Sequence, residues 1–305
     1  MKTGMDTGFR ERLIAEGFLF ETGVDGVWGR SGVFERIHAG VEQAITRAGA
    51  DQGAEVMRFP PAMAQNVFEK SGYMKNFPQL AGTVHCFCGD DRAHRALLGQ
   101  IERGEDWLAG QQPADLVLTP AACYPVYPIV AQRGALAPGG HLVDVASYCF
   151  RHEPSLEPTR LQMFRMREYV RIGTPEQVIA FREAWMERGQ ALVQSLELPF
   201  ELDVANDPFF GRAGKLMKES QRAQALKFEL LIPVNDGLDP TACLSFNYHM
   251  THFADTWGIR TGDGQQAQTA CVGFGMERLV LALLRHHGFD IARWPARVRE
   301  VLDLG

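Results

Sequence analysis

The chain has 305 residues, of which 46% are hydrophobic and 22% are charged, and its formal net charge at pH 7 is −6. This composition is that of an ordinary globular protein, and it excludes a disordered chain, a collagen-like repeat and a coiled coil. The negative charge also argues against a dedicated nucleic-acid binder, because such proteins usually carry a basic surface.

The N-terminal half predicts helices that alternate with short strands. Apolar residues at a spacing of three to four predict an amphipathic helix over residues 33–48, with Gly49 near its end. A strand over 54–59 follows and is stopped by two prolines. Further along, we expect a strand over 83–88 and a helix over 91–108.

The C-terminal half predicts longer strands. Two extended runs, 141–153 and 161–172, are joined by a segment with two prolines, which indicates a long antiparallel hairpin. Thr174 caps a helix predicted over 175–196. The further predicted elements are strands at 199–205, 226–233, 242–249 and 268–273, and a helix that begins near Gly275. Antiparallel strands with helices between them favour an α+β fold.

Several common kinds of site are absent from the sequence. It contains no GxxxxGK[ST], GxSxG or HExxH motif, and the segment Gly273-Phe-Gly275 lacks the third glycine of a dinucleotide fingerprint. His249 and His252 are three residues apart, a spacing that points to opposite faces of a strand and disfavours a shared metal.

The cysteines and the apolar stretches give little sign of secretion or membrane insertion. Six cysteines in 305 residues are too few for a disulfide scaffold, and we interpret Cys86 and Cys88 as core residues. No signal peptide is visible at the N-terminus. The longest uncharged stretch, 116–132, contains three prolines and is too short to span a bilayer. We therefore expect a cytoplasmic protein.

Two segments carry residues suited to phosphate chemistry. In the predicted hairpin, Arg151 and Glu153 share one face of the first strand. Arg160, Phe164 and Glu168 are separated by even numbers and are expected to share a face of the second strand. The other segment is a strand–helix junction that places Arg278 on the first turn of the helix. Taken singly, such charged faces are typical of surface ion pairs that contribute little stability.

Together these segments resemble motifs 2 and 3 of the class II aminoacyl-tRNA synthetases. The segment Arg58-Phe-Pro60, which follows the helix predicted at 33–48, resembles motif 1. The resemblance implies an α+β fold, in which an antiparallel sheet of six or seven strands is flanked by helices. It also implies a homodimer that forms through motif 1.

The resemblance further implies an ATP site. Amino-acid activation builds negative charge at the α-phosphate, so fixed positive charge is the main catalytic requirement. Arg151 would contact the α-phosphate and Arg278 the γ-phosphate, because guanidinium groups bind phosphate in a bidentate manner. Phe164 would stack on adenine, and Mg²⁺ would accompany the phosphates. The remaining implied ATP-binding residues are Glu153, Arg160, Leu161, Lys227, Glu229, Ala242, Cys243, Leu244 and Ser245.

Cys123, Glu168 and Cys271, with the sequence around each, resemble the metal site of one branch of this class. The branch comprises the atypical zinc-dependent seryl-tRNA synthetases and their truncated relatives, the amino acid:[carrier protein] ligases. Two thiolates and one carboxylate leave one position open on tetrahedral zinc. The resemblance implies that the substrate's amino group takes this position, and that Glu168 and Asn247 bind the amino acid.

Only about 30 residues precede the first core helix, so we expect one synthetase-like catalytic domain over 1–305 without a tRNA-binding arm. The resemblance then favours a ligase that forms an aminoacyl-adenylate from glycine or alanine. The acyl group would pass to the phosphopantetheine thiol of a small acidic carrier protein. A basic segment suits this docking and comprises Arg212, Lys215, Lys218 and Arg222.

Two alternatives remain open from the sequence. One is an enzyme that charges tRNA with a partner's help, and the other is a non-catalytic regulatory paralogue. Transfer of labelled amino acid to tRNA distinguishes the first. Absence of amino-acid-dependent ATP–pyrophosphate exchange distinguishes the second.

Overall fold

A seven-stranded sheet organises the part of the chain that the computed structural model describes, residues 7–208, 224–235 and 237–305. Two smaller sheets accompany it. The described strands, in chain order, are β1 (Leu19–Glu21), β2 (Trp28–Arg30), β3 (Glu55–Arg58), β4 (Ala62–Ala64), β5 (Thr83–Cys86), β6 (Gln112–Leu118), β7 (His141–Phe150), β8 (Met163–Gly173), β9 (Glu201–Val204), β10 (Lys227–Ile232), β11 (Thr241–Met250) and β12 (Gln268–Gly275).

The helices cover both faces of this sheet. The described α-helices are α1 (Thr7–Ala15), α2 (Gly32–Ala48), α3 (Gln65–Lys70), α4 (Tyr73–Asn76), α5 (Asp91–Glu102), α6 (Val126–Gln132), α7 (Pro175–Ser195), α8 (His252–Trp257), α9 (Met276–His287) and α10 (Ala296–Val301). None of them, in the part of the chain described, is long and apolar enough to cross a membrane.

The strand order of the large sheet is β3-β7-β8-β12-β11-β10-β9. All neighbours are antiparallel except β3 and β7, which form a parallel pair at one edge. The β7–β8 hairpin runs in unbroken register from the pair His141 and Ile172 to the pair Phe150 and Met163. These observations confirm the predicted α+β class and the long hairpin, and they add one parallel pair to the expected antiparallel sheet.

The two faces of the large sheet bury separate apolar clusters. Helices α2, α7 and α9 pack on one face, where Trp185 contacts Tyr169 and Phe274. Helices α6 and α8 pack on the other face, where Tyr127 and Phe253 stack. Successive strand residues point to opposite faces, so Glu168 projects away from the cluster that holds Tyr169. Glu168 therefore points to the face that α6 and α8 cover.

Local sequence signals explain most element boundaries. Thr174 and Gln177 form a reciprocal capping box at the start of α7, as the predicted N-cap requires. The helix predicted over 91–108 is too long, because Gly104 at φ +67° ends it soon after Glu102. The first hairpin strand ends at residue 150 rather than 153. Helices α1, α6 and α8, together with the β1–β2 hairpin, were not predicted.

Two interpretations of cysteine and histidine positions are wrong. Cys86 and Cys88 are exposed rather than in the core, because the end of β5 and the residues that follow it, 85–90, are all exposed. His252 does not lie on a strand, since Met250 at φ +53° ends β11 and His252 begins α8. The opposite-face argument for His249 and His252 therefore fails.

Candidate active site

A cavity of about 520 Å³ opens on the α8 side of the large sheet. Its lining includes each predicted ATP-binding, amino-acid-binding and metal-binding residue of the described part except Arg160. These lining residues are Cys123, Arg151, Glu153, Leu161, Phe164, Glu168, Lys227, Glu229, Ala242, Cys243, Leu244, Ser245, Asn247, Cys271 and Arg278. The fold thus brings together side chains that are up to 155 positions apart in the sequence, from Cys123 to Arg278 (278 − 123 = 155).

Arg160 departs from the predicted arrangement. Strand β8 begins only at Met163, so Arg160 lies in the preceding turn and shares no strand face with Phe164. Its guanidinium pairs instead with Glu153 at 3.0 Å and with Glu157 at 3.7 Å, and its side chain is 49% exposed. Arg160 therefore stands beside a lining residue rather than in the cavity wall.

Two half-buried arginines supply positive charge to the cavity. Arg278 donates from Nε to the Thr159 carbonyl at 3.0 Å and from Nη1 to the Ala242 carbonyl at 2.9 Å. It forms no ion pair within the described ranges, and burial lowers its pKa. Because carbonyl groups hold the guanidinium without neutralising it, Arg278 keeps its full charge for an anion in the cavity.

Arg151 reaches the cavity from the end of the first hairpin strand. Its Nε donates to the Pro120 carbonyl at 3.2 Å, and its guanidinium lies 5.5 Å from the centre of the Phe164 ring. Burial lowers the pKa of Arg151, but the nearby Tyr73, Cys149 and Glu153 raise it by more, so the net shift is upward. The charged form is therefore secure at neutral pH.

A buried lysine lies between two carboxylates on the opposite wall. Lys227 Nζ is 2.7 Å from Asp207 Oδ1 and 2.9 Å from Glu229 Oε1. Burial lowers the pKa of Lys227, and the two carboxylates raise it by more. Two carboxylates and one ammonium leave a net charge of −1 (−2 + 1), which suits a hard cation bound with ATP. Asp207 was missed because no sequence pattern links it to β10.

Cys123, Glu168 and Cys271 meet at the inner end of the cavity. The Cys123 backbone N–H donates to Glu168 Oε2 at 2.7 Å. Cys271 lies directly opposite Asn247 in the β11–β12 register, and the Asn247 amide donates to its sulfur at 3.3 Å. The side chains of Cys123, Glu168 and Cys271 are each less than 5% exposed.

The electrostatics of this cluster disfavour three unpartnered negative charges. Burial raises the pKa of Glu168. A hydrogen bond with Cys271, then burial and the Glu168 charge, raises the pKa of Cys123 far above its ordinary range. For Cys271 the hydrogen bond with Cys123 lowers the pKa, but burial and Glu168 raise it by more. Ionisation of the full set therefore needs a cation beside it.

Cys123, Glu168 and Cys271 are a candidate set of zinc ligands. Two thiols and one carboxylate match zinc ligands in type and number for a site with an open position. All three residues are buried and line the cavity. Across residues 7–208, 224–235 and 237–305, no group of three or more His, Cys, Asp or Glu side chains stands at metal-binding geometry. The chemistry of the set, two thiols and one carboxylate, fits zinc.

Aromatic residues that the sequence did not single out complete the wall, together with His249 and His252, which were considered in the sequence only as a metal pair. Tyr124 packs edge-on against Tyr73 at 5.6 Å and against Phe253 at 5.5 Å. Burial raises the pKa of Tyr73 to about 12 and lowers the pKa of His249 to about 4. The place of His249 in the cavity wall could have been predicted from the sequence, because it is two residues from Asn247 and shares its strand face. His252 also lines the cavity.

The predicted docking residues lie outside the described residues. They are Arg212, Lys215, Lys218 and Arg222.

Comparison with known proteins gives a consistent result. No protein-family model matches the sequence. An amino acid–[acyl-carrier-protein] ligase of Bradyrhizobium diazoefficiens is 50% identical over 95% of this chain and 89% of its own. A type-2 serine–tRNA ligase of Methanopyrus kandleri is 29% identical over 61% of this chain and 38% of its own. The solved structure of M. kandleri seryl-tRNA synthetase with a tRNA from A. aeolicus has a TM-score of 0.83 and 21% identity, covering 97% of this chain and 60% of that one.

The structural likeness confirms the class II synthetase fold. The sequence likeness confirms the predicted kinship with both the ligases and the type-2 serine–tRNA ligases. Identity at half of the aligned positions, over nearly the full length of both chains, places this protein in the amino acid–[acyl-carrier-protein] ligase family.

Proposed function

We propose that this chain activates a small amino acid with ATP and transfers it to the phosphopantetheine thiol of an acyl carrier protein. One observation carries the proposal. Arg151, Arg278 and the cluster of Cys123, Glu168 and Cys271 all face the same cavity. Arg151 and Arg278 donate hydrogen bonds to backbone carbonyl groups and keep their positive charge for phosphate. Together with a buried cluster that could bind an amino group through a metal, they suit the reaction of an amino acid's carboxylate with ATP.

In the first step, a carboxylate oxygen of the amino acid attacks the α-phosphorus of ATP. The bond from that phosphorus to the β-phosphate oxygen breaks, pyrophosphate leaves, and an aminoacyl-adenylate forms. Arg151 stabilises charge on the α-phosphate and Arg278 holds the γ-phosphate, which fixes the direction of attack. Phe164 stacks on adenine, while Glu229 offers oxygen ligands to the Mg²⁺ that accompanies ATP.

Cys123, Glu168 and Cys271 would hold zinc in this proposal. With zinc bound, these residues would leave one position open for the substrate's amino group, and the metal would supply the Lewis acidity that keeps this group unprotonated. Asn247 lies beside Cys271 and bounds the space for the amino acid. Since the metal would contact only the amino group, the size of the pocket would have to distinguish one amino-acid side chain from another. One methylene group changes the binding free energy by about 1–3 kcal/mol. On the family resemblance, we propose glycine or alanine as substrate.

In the second step, the carrier's thiol attacks the carbonyl carbon of the adenylate. The carbonyl–phosphate bond breaks, AMP leaves with the electron pair, and a thioester forms. The test is transfer of labelled glycine and alanine, with ATP, to carrier protein with and without its phosphopantetheine arm, and to tRNA. We expect labelling of the modified carrier alone. Labelling of tRNA instead would overturn the proposal in favour of a tRNA-charging enzyme.

The basic segment with Arg212, Lys215, Lys218 and Arg222 is proposed as the carrier-docking surface. Reversal of charge at Lys218 and Arg222 should weaken carrier transfer and leave adenylate formation intact. Adenylate formation is followed by ATP–pyrophosphate exchange in the absence of carrier. Equal loss in both assays would remove the docking assignment.

A homodimer through motif 1 is also proposed. Strand β3 lies at an edge of the large sheet, and Val56 on this strand is 63% exposed. An exposed apolar residue on an edge strand supports a subunit contact there. Light scattering should give twice the 34.0 kDa chain mass, and Val56→Asp should shift the protein toward monomer. The single-domain organisation and the cytoplasmic location stay predictions.

A further inference from the structure

The β1–β2 hairpin packs against the segment that leads into β8. Leu19 and Trp28, one on each strand of the hairpin, are buried in the apolar cluster that also holds Trp185. The hairpin is therefore fixed to the body of the protein. None of residues 19–30, all of which the structure describes, lines the cavity. Any influence of the hairpin on the site is exerted through the residues that it contacts.

Gln162 joins the turn of this hairpin to Arg151. Its backbone N–H donates to the Gly26 carbonyl at 2.8 Å, and its side-chain amide donates to the Asp25 carbonyl at 2.7 Å. Its own carbonyl accepts a hydrogen bond from the Arg151 backbone N–H at 2.9 Å. Gln162 is buried, so these hydrogen bonds lie in a low-dielectric environment that strengthens them. The position of Arg151 along the cavity wall therefore depends on the hairpin.

Gly26 allows the turn to approach this segment closely. Its φ of +77° is a conformation that residues with a side chain rarely adopt. A Cβ atom at this position would lie 3.2 Å from the Arg160 carbonyl oxygen and 3.3 Å from the Gln162 backbone nitrogen. The turn thus contacts residues 160–162 backbone against backbone, which fixes their separation more tightly than flexible side chains would.

Arg30 makes a second connection between the hairpin and the site. Its Nη2 donates to the Met163 carbonyl at 3.2 Å and lies 3.3 Å from Glu277 Oε1. Met163 directly precedes Phe164, and Glu277 directly precedes Arg278. The Arg30 and Glu277 side chains are largely buried, so water and salt screen their attraction little. One guanidinium nitrogen therefore holds together the neighbours of the proposed adenine and γ-phosphate contacts.

We propose that Gln162 and Arg30 are positioning residues of the ATP site. Through them the β1–β2 hairpin holds Arg151 and Phe164 in place. The inference rests on the proposed function, because it takes these two held residues to bind ATP. Neither Gln162 nor Arg30 lines the cavity, so each acts through the residue that it holds. Positioning of this kind matters for the rate, since a displacement of about 1 Å can slow a reaction about 100-fold.

The test is ATP–pyrophosphate exchange by two variants. Gln162→Leu keeps much of the side-chain volume and removes the bond to Asp25, and we expect kcat to fall at least about tenfold, because Arg151 acts on the α-phosphate. Arg30→Met should raise the KM for ATP about fivefold, the effect of a displaced base–aromatic stack. In both variants the KM for the amino acid should stay within about twofold of wild type, since neither residue contacts the cluster of metal ligands.

Two further variants separate positioning from general stability. Arg30→Lys should restore the wild-type KM for ATP, because Nη2 alone makes both contacts and one ammonium nitrogen can replace it. The matched control is Arg188→Met. Arg188 likewise holds a carbonyl group, that of Ala48 at 2.7 Å, and a carboxylate, that of Asp51 at 2.6 Å, and it does not line the cavity. This control should keep kcat and both KM values of wild type.

Three outcomes would overturn the inference. Wild-type kcat and KM for ATP in both Gln162→Leu and Arg30→Met would show that the hairpin does not position the site, and would leave the proposed function standing. An equal rise in the KM for ATP and for the amino acid, or equal losses in Arg188→Met, would indicate general destabilisation. A wild-type protein without exchange would remove the proposed function together with this inference. Should Arg30→Met not fold, Gln162→Leu decides by the same measurement.

Discussion

Glu277 connects the two arginine-bearing segments of the site, and its charge should be essential to stability. It lies on the first turn of α9, next to Arg278, and is 1% exposed. Its carboxylate accepts hydrogen bonds from the Arg165 backbone N–H at 2.8 Å and from Arg165 Nε at 2.7 Å. Arg30 Nη2 lies 3.3 Å away on the other side. The informative perturbation is Glu277→Gln, which preserves shape and removes the charge.

The structure sets the size of the effect. Removing one partner of a buried ion pair typically costs 3–5 kcal/mol, because it leaves an uncompensated charge. Here Arg165 keeps a second carboxylate partner, Glu35, and the glutamine oxygen still accepts one hydrogen bond. Both features reduce the loss. We therefore expect Glu277→Gln to lower the free energy of unfolding by about 2–3 kcal/mol, at or just below the lower end of that range.

Urea unfolding at pH 7, followed by far-UV circular dichroism, measures this difference. The control is Glu105→Gln, which removes the exposed ion pair with Arg103 and should leave stability unchanged within error. If Glu277→Gln matches Glu105→Gln, the ion-pair network around Arg165 does not hold the two segments together. The same variant should also lower the rate of ATP–pyrophosphate exchange, because Arg278 follows Glu277 directly.

Further predictions concern the phosphate site, acid stability and the metal ligands. Arg278→Lys should keep its fold but slow ATP–pyrophosphate exchange by about 100-fold, since lysine cannot reproduce the bidentate contact; an unchanged rate would contradict this role. Burial raises the pKa of Glu35, but the hydrogen bond and charge of Arg165 lower it by more, so the net shift is downward. The folded state therefore gains stability above the ordinary pKa of this group and loses it as the pH falls. The stability advantage of wild type over Glu35→Gln in urea should shrink as the pH falls below the ordinary pKa of a glutamate side chain, and a constant advantage would contradict the shift. Because His249 Nε2 lies 3.6 Å from the Cys271 sulfur, His249→Ala tests whether it is a ligand. We expect the His249→Ala variant to retain one zinc per chain by elemental analysis. Loss of zinc from this variant would indicate that His249 is a fourth ligand.

The sequence predicted features that depend on local periodicity. The even spacing of Phe164 and Glu168 correctly put both on one strand face, and Thr174 with Pro175 correctly started a helix. The same parity argument failed for Arg160, because strand β8 begins only at Met163 and Arg160 lies before it. It failed again at His252, where a left-handed residue ends the strand. Boundaries set by turns are therefore weaker predictions than strand faces.

Spatial assembly of the site could not be derived from periodicity. Cys123, Glu168 and Cys271 are 45 and 103 residues apart. The pairing of β8 with β12 brings Glu168 near Cys271, and the turn before α6 brings Cys123 to Glu168. Family resemblance identified these three, whereas nothing local marked Asp207. Its place beside Lys227 follows from the 2.7 Å contact between the two side chains rather than from any motif.

Amino-acid-dependent ATP–pyrophosphate exchange tests most directly whether zinc at this site supports amino-acid activation. The exchange rate of the wild-type protein is measured before zinc is removed, after it is removed and after it is restored. Exchange with glycine or alanine should be lost with the metal and recovered with it, and Cys123→Ser should behave like the stripped protein. Exchange that persists undiminished in the stripped protein, or that no amino acid supports in the zinc-replete protein, would contradict the proposed site.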